Sequence, residues 1–574
     1  MSSPHVLRDY AFLADGHRGA LVGPRGDIAW MCVPRWDSAA LFASLVGGGG
    51  SYQVAPAGTY VWGGWYEPGS LVFRSHWTTT SSTVDCHEAL AAPADPERAV
   101  VLRRVEAVDG PARVEVSLDL RADYGRKKSS VRQDDDGSWL IRTGDVRARW
   151  SGAADARPDE DGVLRLELDL EAGRHHDLVL EVGVGDPGEP VDADRAWDAT
   201  RAWWASAVPQ FSGSAAPLDS RHSYAVLRGM STPGGGMIAA PTLGLPERAE
   251  AGRNYDYRYV WLRDQAYAGI AVSVEEPHPL LDEYLAVTTA RVLEHGAEVA
   301  PAYTVTGDPP PTEDRLKLPG YPGGADVVGN WVRQQFQLDS LGEMLQLYAA
   351  GGRHDHLGPE DARAMLEIIG VIEQRWDAPD AGVWELDDAW WSHSRLACVA
   401  GLRAAAPYLA HGDLARATGL ADHLLAETSA RCLSADGVWQ QRADRPGLDA
   451  SLLLPPVRGA LPPDDPRSLA TLAAIERDLT QDGYVYRNRP DDRPLGEAEG
   501  AFLMCGFAMS LAHLAAGDVT RAFRWFERQR AASGPAALLS EEFDVTQRQL
   551  RGNIPQGFVH AMLLETSQRL GGLG

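Results

Sequence analysis

The hydrophobic period changes partway along the chain, and that change limits the fold more than any other feature. In the first third, apolar residues recur at every second position. Val114, Val116, Leu118 and Leu120 alternate with Glu115, Ser117 and Asp119, and Leu164, Leu166, Leu168 and Leu170 alternate with Arg165, Glu167 and Asp169. Leu71, Phe73 and Trp77 share one side of a further run. Side chains on an extended strand point alternately to its two faces, so these segments are half-buried antiparallel strands. Turn-forming stretches such as DDDG and DARPDEDG separate them, and the region to about Val184 reads as a β-sandwich. GDPGEPVDAD ends the alternation; a tryptophan-bearing helix and a polar stretch, QFSGSAAPLDS, follow. From about Asp219 the period becomes helical. Leu338, Leu341, Leu345 and Tyr348 fall on one face, and DARAMLEIIGVIEQRW behaves alike. About a dozen such segments alternate with Gly/Pro-rich loops that carry the unusual polar and aromatic residues. That pattern fits a helical barrel with its function at one rim. The expected boundaries are 1–190 for an N-terminal β-sandwich, 191–218 for a helical linker and 219–574 for the helical domain.

At 574 residues the chain exceeds the size at which a single core stops growing, which agrees with two domains. A formal net charge of −26 repels nucleic acid and anionic membrane, and otherwise serves solubility. No apolar run reaches the roughly 18 residues of a membrane helix, and the start has no apolar leader core. The five cysteines are scattered, without a CxxC. The expectation is therefore a cytoplasmic protein with neither a disulfide framework nor a zinc site. RHDH and GRHHD carry histidines without converging carboxylates and read as polar loops. No cofactor and no metal are expected, neither nucleic acid nor a membrane is an expected partner, and the oligomeric state is open.

Four segments carry candidate chemistry. NYDYRYVWLRD, residues 254–264, sets Tyr255, Tyr257, Tyr259 and Trp261 beside Asp256, Arg258, Arg263 and Asp264. An Asp–Arg pair grips two hydroxyls of one sugar while a ring packs on its face, but a salt-bridged helix start explains the residues equally well. AGVWELDDAWWSHSRL, residues 381–396, places Glu385 after Trp384 and close to Trp390 and Trp391. A carboxyl against aromatic rings is poorly solvated and keeps its proton to higher pH, as a general acid must; the competing reading is a solvated loop glutamate. LLSEEFDVTQRQLRGNIPQGFVHAMLL, residues 538–564, pairs Glu541 with Glu542, one of which could stay ionised and activate a water; a solvated acidic pair is the plainer reading. YVYRNRPDDRPLGEAEGAFLMCGF, residues 484–507, contributes Arg487, Arg489 and Glu499, as sugar contacts or as simple loop bridges.

Together these residues resemble family 15 of the glycoside hydrolases, which contains glucoamylases, glucodextranases and bacterial trehalases. The opening DYAFLADGHRGALVGPRGDIAWMCVPRWDSAALFASLVGG is similar to that of the bacterial members. MIAAPTLGLPE, YDYRYVWLRD, GVWE, EGAFLMCGF, and LLSEEFD followed by GNIPQGFVH recur in the family's order. The resemblance implies an N-terminal β-sandwich followed by an (α/α)6 barrel. It implies Glu385 as general acid, Glu541 as general base, and Arg263 and Asp264 as ligands of the nonreducing-end glucose. Tyr257, Trp261 and Trp384 would lie beside that glucose, with Arg487 near the same sugar. It also implies inversion at the anomeric carbon. Two stretches depart from the family pattern. GYPGGADVVGN, residues 320–330, lacks the arginine-bearing sequence expected on the leaving-group side, and Ile28-Ala29-Trp30 replaces IDW.

The leading expectation is an inverting exo-acting α-glucosidase of glucoamylase type, whose partner is a small-molecule or oligosaccharide α-glucoside and which releases β-glucose from nonreducing ends. A trehalase would use the same acid and base around a compact second-glucose pocket. A non-catalytic sugar-binding protein on the same scaffold would not need both glutamates, and a phosphorylase would need an anion pocket that is not evident.

Overall fold

The computed structural model describes residues 4–248, 254–489, 494–497 and 499–573. The alternating segments form two eight-stranded antiparallel sheets. One runs in the order Ala11–Ala14, Gly19–Val22, Asp27–Cys32, Ser51–Pro56, Ala112–Asp119, Leu164–Leu170 and Arg157–Pro158, with Ala40–Phe42 beside Asp27–Cys32. The other runs Ser130–Gln133, Trp139–Thr143, Val146–Ser151, His175–Gly183, Arg98–Ala107, Thr83–Leu90, Phe73–Thr78 and Val61–Tyr66. The period-two residues meet across the strands: Val114, Val116 and Leu118 lie opposite Leu168, Leu166 and Leu164, all buried. The sheets face one another through Tyr52 of the first. Its hydroxyl accepts from the Trp150 indole at 3.1 Å, and its ring lies under Arg103, 4.3 Å away.

Helix α1 (Ala193–Ala207) follows. It covers the sandwich, burying Trp197 and Trp204, and its Thr200 hydroxyl accepts from the Ala92 N–H at 3.1 Å. The remaining helices form an (α/α)6 barrel. The outer ring is α2 (Pro217–Met230), α4 (Pro279–His295), α6 (Pro359–Arg375), α8 (His411–Cys432), α10 (Pro466–Asp478) and α12 (Val519–Arg530). The inner ring is α3 (Leu262–Ala271), α5 (Leu338–Gly352), α7 (Ser392–Ala405), the short α9 (Leu454–Val457) with the turn before it, α11 (Leu503–Ala515) and α13 (Gly557–Gly571). An outer helix needs only one apolar stripe, and α6 buries Ala364, Met365, Ile368, Ile369 and Ile372 at helical spacing. An inner helix is enclosed on all sides. All ten residues of α3 are buried, and so is α5 from Leu338 to Gly351, which widens the single face expected from its leucines.

Inner helices α5 and α7 touch backbone to backbone. A Cβ on Gly342 would lie 2.4 Å from the Ala397 carbonyl, and one on Gly401 would lie 2.3 Å from the Gly342 oxygen. Because outer and inner helices alternate in direction, every inner helix starts at the same end of the barrel. The loops that enter them converge there. Among the described residues no helix is long and apolar enough to cross a membrane, and the five cysteines are buried free thiols.

Candidate active site

The convergence of inner-helix starts leaves a pocket at that end of the barrel. Tyr257, Trp261, Arg263, Asp264, Trp384, Glu385, Arg487 and Glu541 all line it. They come from four places far apart in sequence.

The two-residue strand Val260–Trp261 pairs with Ala302–Tyr303 and fixes the entry to α3, so Arg263 and Asp264 stand in that helix's first turn. The Trp261 indole donates to Glu385 Oε1 at 2.7 Å, and Arg263 Nη2 donates to the same oxygen at 3.1 Å. Arg263 Nη1 reaches Gln337 Oε1 at 2.7 Å and Asp339 at 3.6 Å, and its Nε lies 3.9 Å from Asp264. Burial pushes the Asp264 carboxyl from its ordinary 3.8 up to about 7, against the pull of Arg263.

Glu385 sits in a left-handed backbone conformation, φ +53°, uncommon for a residue with a side chain and a known mark of functional turns. The turn is closed by the Asp380–Ala389 bridge. Asp380 anchors it from below, accepting from the Gly382 N–H and the Ser394 hydroxyl at 2.8 Å each, and pairing with Arg395. The Glu385 side chain remains 20% exposed, while Trp384 before it is buried and donates to Asp449 at 2.9 Å.

Glu541 enters on a three-stranded sheet in which Ala501–Phe502 pairs with Glu542–Asp544 and that strand with Gln549–Arg551. The Glu541 carbonyl accepts from the Leu503 N–H at 3.0 Å, tying it to the start of α11. Its carboxylate accepts from the Tyr257 hydroxyl at 3.2 Å. The Tyr257 and Trp261 rings meet edge to face with centroids 5.6 Å apart. Each carboxylate thus hangs from one of two touching rings. Glu542 turns away behind the wall, where Arg487 and the Gly500 N–H hold it, and burial with the nearby Glu247 raises its carboxyl well above the ordinary range.

Arg487 faces three buried glutamates, Glu499 at 2.6 Å, Glu247 at 3.1 Å and Glu542 at 3.3 Å, with the Phe502 ring 4.7 Å from its centre. Trp384, Glu385 and Arg487 also border a second, outer cleft of about 1020 Å³, which Trp331, Trp391, Arg442, Asn488 and Arg489 extend. Glu385 therefore stands at the neck between an inner pocket and an outer cleft. Below the pocket the barrel axis is filled: Tyr267 donates to Glu343 at 3.4 Å, and Arg458 pairs with Glu565 deeper still. All four are buried.

Several residues of the sequence motifs lie elsewhere. Asp256 and Arg258 form a buried pair at 2.7 Å, and Arg258 donates to the Ser38 carbonyl at 2.7 Å, so this pair joins sandwich to barrel. Tyr259 donates to Asp256 at 3.1 Å. Trp390 donates to Asp377 at 3.1 Å and borders neither cavity. Residues 320–330 also line neither; Gly329 and Asn330 hold Asp256, while Trp331 just beyond them reaches the outer cleft. Trp30 donates to the Pro241 carbonyl at 2.7 Å under the loop that carries Glu247. Sequence reasoning passed over Glu247, Tyr267 and Gln556 on the cavity wall, and Gln337 and Asp339 behind Arg263. A signal existed for Asp339: with Glu343 and Gln346 it makes an i, i+4, i+7 polar stripe on an otherwise apolar helix.

The family described as "Glycosyl hydrolases family 15" matches residues 221–568, and that described as "Trehalase-like, N-terminal" matches residues 2–201. The chain is 30% identical to the "Trehalase" of Mycobacterium tuberculosis, over 97% of this chain and 88% of that protein. It is 27% identical to the "Isomaltose glucohydrolase" of Kribbella flavida, over 55% of this chain and 80% of that protein. A solved bacterial glucoamylase complexed with acarbose superposes with a TM-score of 0.75 at 14% identity, covering 99% of this chain and 94% of that one.

Proposed function

The chain belongs to glycosyl hydrolase family 15, a family of glycoside hydrolases, and from that premise we propose that it cleaves α-glucosidic bonds with inversion, using Glu385 as general acid and Glu541 as general base. The observation that carries this reading is the placement of two carboxylates on one pocket, each fixed by a different ring. A glucose bound in the inner pocket would be gripped by Arg263 and Asp264. Its glycosidic oxygen would face Glu385 at the neck, with the leaving group in the outer cleft. Glu385 gives its proton to that oxygen as the bond to the anomeric carbon breaks. Glu541 takes a proton from a water that attacks the opposite face of the same carbon. One water is consumed, and the two glutamates have exchanged protonation states until solvent resets them.

We place α,α-trehalose first among substrates, because relatives matched along nearly the whole chain carry the name trehalase. The second reading is glucoamylase-type attack on nonreducing ends of maltooligosaccharides or isomaltose, favoured by the outer cleft that continues beyond Glu385 along Trp331 and Trp391. Free glucose released from trehalose, maltose, isomaltose, maltotriose and dextran ranks the substrates. Proton NMR of the fresh reaction then tests the mechanism. Inversion on maltose gives β-glucose from the nonreducing end; on trehalose it gives one β- and one α-glucose. If both glucoses from trehalose appear as α, the mechanism is retaining and the role given to Glu541 is wrong. If none of the sugars is cleaved, the protein is a sugar-binding relative.

A further inference from the structure

Arg263 presents a geometric conflict. A positive charge 3.1 Å from the Glu385 carboxyl stands beside the group that must arrive at the reaction still holding its proton. The guanidinium is not given to Glu385 alone. Nη1 turns to the opposite side, towards Gln337 and the carboxylate of Asp339, which is fully buried in the first turn of α5. We propose that Asp339 is a positioning residue for the reaction: by sharing Arg263 and offsetting its charge, it keeps the proton on Glu385 until the glycosidic oxygen takes it. The proposal rests on the reading of Glu385 as the acid.

The other groups around this triangle do not supply that offset. Asp264 and Tyr267 face it from α3; burial lifts the first to about 7 and the second well above its ordinary value, so neither is a dependable anion near neutrality. Glu343, one turn below Asp339, is likewise lifted to about 7. Asp380, in the loop before α7, already pairs with Arg395. From α7, burial holds His393 neutral, down at about 3, and keeps the Cys398 thiol protonated. Tyr257, on the Glu385 side, is also kept neutral by burial. Burial pushes Asp339 up as well, with Arg263 pulling the other way as it does at Asp264; what sets Asp339 apart is its place, 3.6 Å from Nη1 on the side of the guanidinium turned away from Glu385.

Asp339→Asn keeps the shape and removes the charge. The dependence of kcat/KM on pH is measured with trehalose, or with maltose if trehalose is not hydrolysed, and with α-D-glucosyl fluoride, whose leaving group needs no proton. With the disaccharide, the alkaline limb should move to lower pH by about half a unit or more. With the fluoride, the variant and the wild type should share one alkaline limb. Asp339→Ser gives the same reading if the asparagine variant is too unstable to assay. A limb that stays in place or moves upward overturns the proposal, as does an equal change with both substrates. Glu385→Gln separates this failure from that of its premise. If that variant loses disaccharide and fluoride activity equally, Glu385 is not the acid and the role of Asp339 falls with it. If it spares the fluoride while the Asp339→Asn limb stays put, only the role of Asp339 is wrong.

Discussion

At the scale of single residues, the two glutamates differ in what replacing them should do. Glu385→Gln should cost turnover on natural glucosides by a factor of about a hundred or more, while α-glucosyl fluoride loses far less, because only the natural leaving group needs the acid. Glu541→Ala should lose both substrates, since the water then lacks a base in either case. Steady-state kinetics on the four enzyme–substrate pairs decide this; equal losses for Glu385→Gln would remove the acid assignment. Asp264 makes a prediction about stability instead. Its unfolded form loses a proton near 3.8 and its folded form near 7. Between those values the folded state binds more protons, so folding stability falls as pH rises through that window. Asp264→Asn carries no such penalty. Its melting temperature relative to the wild type should rise between pH 4 and pH 8, reflecting on the order of a few kcal/mol; a constant difference would mean that the carboxyl ionises normally. Residues of this kind were only partly legible in the sequence. Arg263, Asp264, Glu385 and Glu541 stand in unusual local sequences, which singled them out, and all four line the pocket. Asp256 and Arg258 stand in the same motif and face a domain junction, a difference that depends on which way the chain enters α3. Asp339 carried only the polar stripe it shares with Glu343 and Gln346, which does not report that its partner lies 76 positions away.

At the scale of elements, α5 and α7 meet backbone to backbone, where Gly342 and Gly401 leave no side chain between them. A methyl group at either position has to push the helices apart, at a cost of about 1–3 kcal/mol for overpacking a dense core. Gly342→Ala and Gly401→Ala should therefore lower the melting temperature. Gly419, exposed inside α8 with open space around it, should behave oppositely, since alanine is the better helix former by about 1 kcal/mol. If thermal unfolding ranks all three alike, close contact is not what matters at the first two. The sheet-forming and helix-forming regions were legible because period is a local property. The enclosure of α5 was not, since one apolar face in sequence does not report how many neighbours the fold will supply.

At the scale of the whole molecule, the sandwich is built into the barrel rather than appended to it. Arg258 takes its carbonyl partner from Ser38, the Gly16 N–H donates to the Gly229 carbonyl at 3.0 Å, and Tyr321 donates to the His5 carbonyl at 2.8 Å. A fragment starting at Asp219 would lose all three ties and uncover the junction that Arg258 and Asp256 fill, and should be insoluble or inactive. A soluble fragment with full activity would show that the two parts are independent. The blind floor of the inner pocket has a further consequence, for the order in which products depart. With Tyr267, Glu343 and the Arg458–Glu565 pair closing the axis, the described residues lead a glucose formed there out through the space its leaving partner still occupies. The partner must go first and the pocket glucose last. Free glucose then returns to the same resting enzyme that binds substrate, so it should inhibit competitively, raising the apparent KM and leaving kcat untouched; inhibition that lowers kcat alone would reveal a second exit.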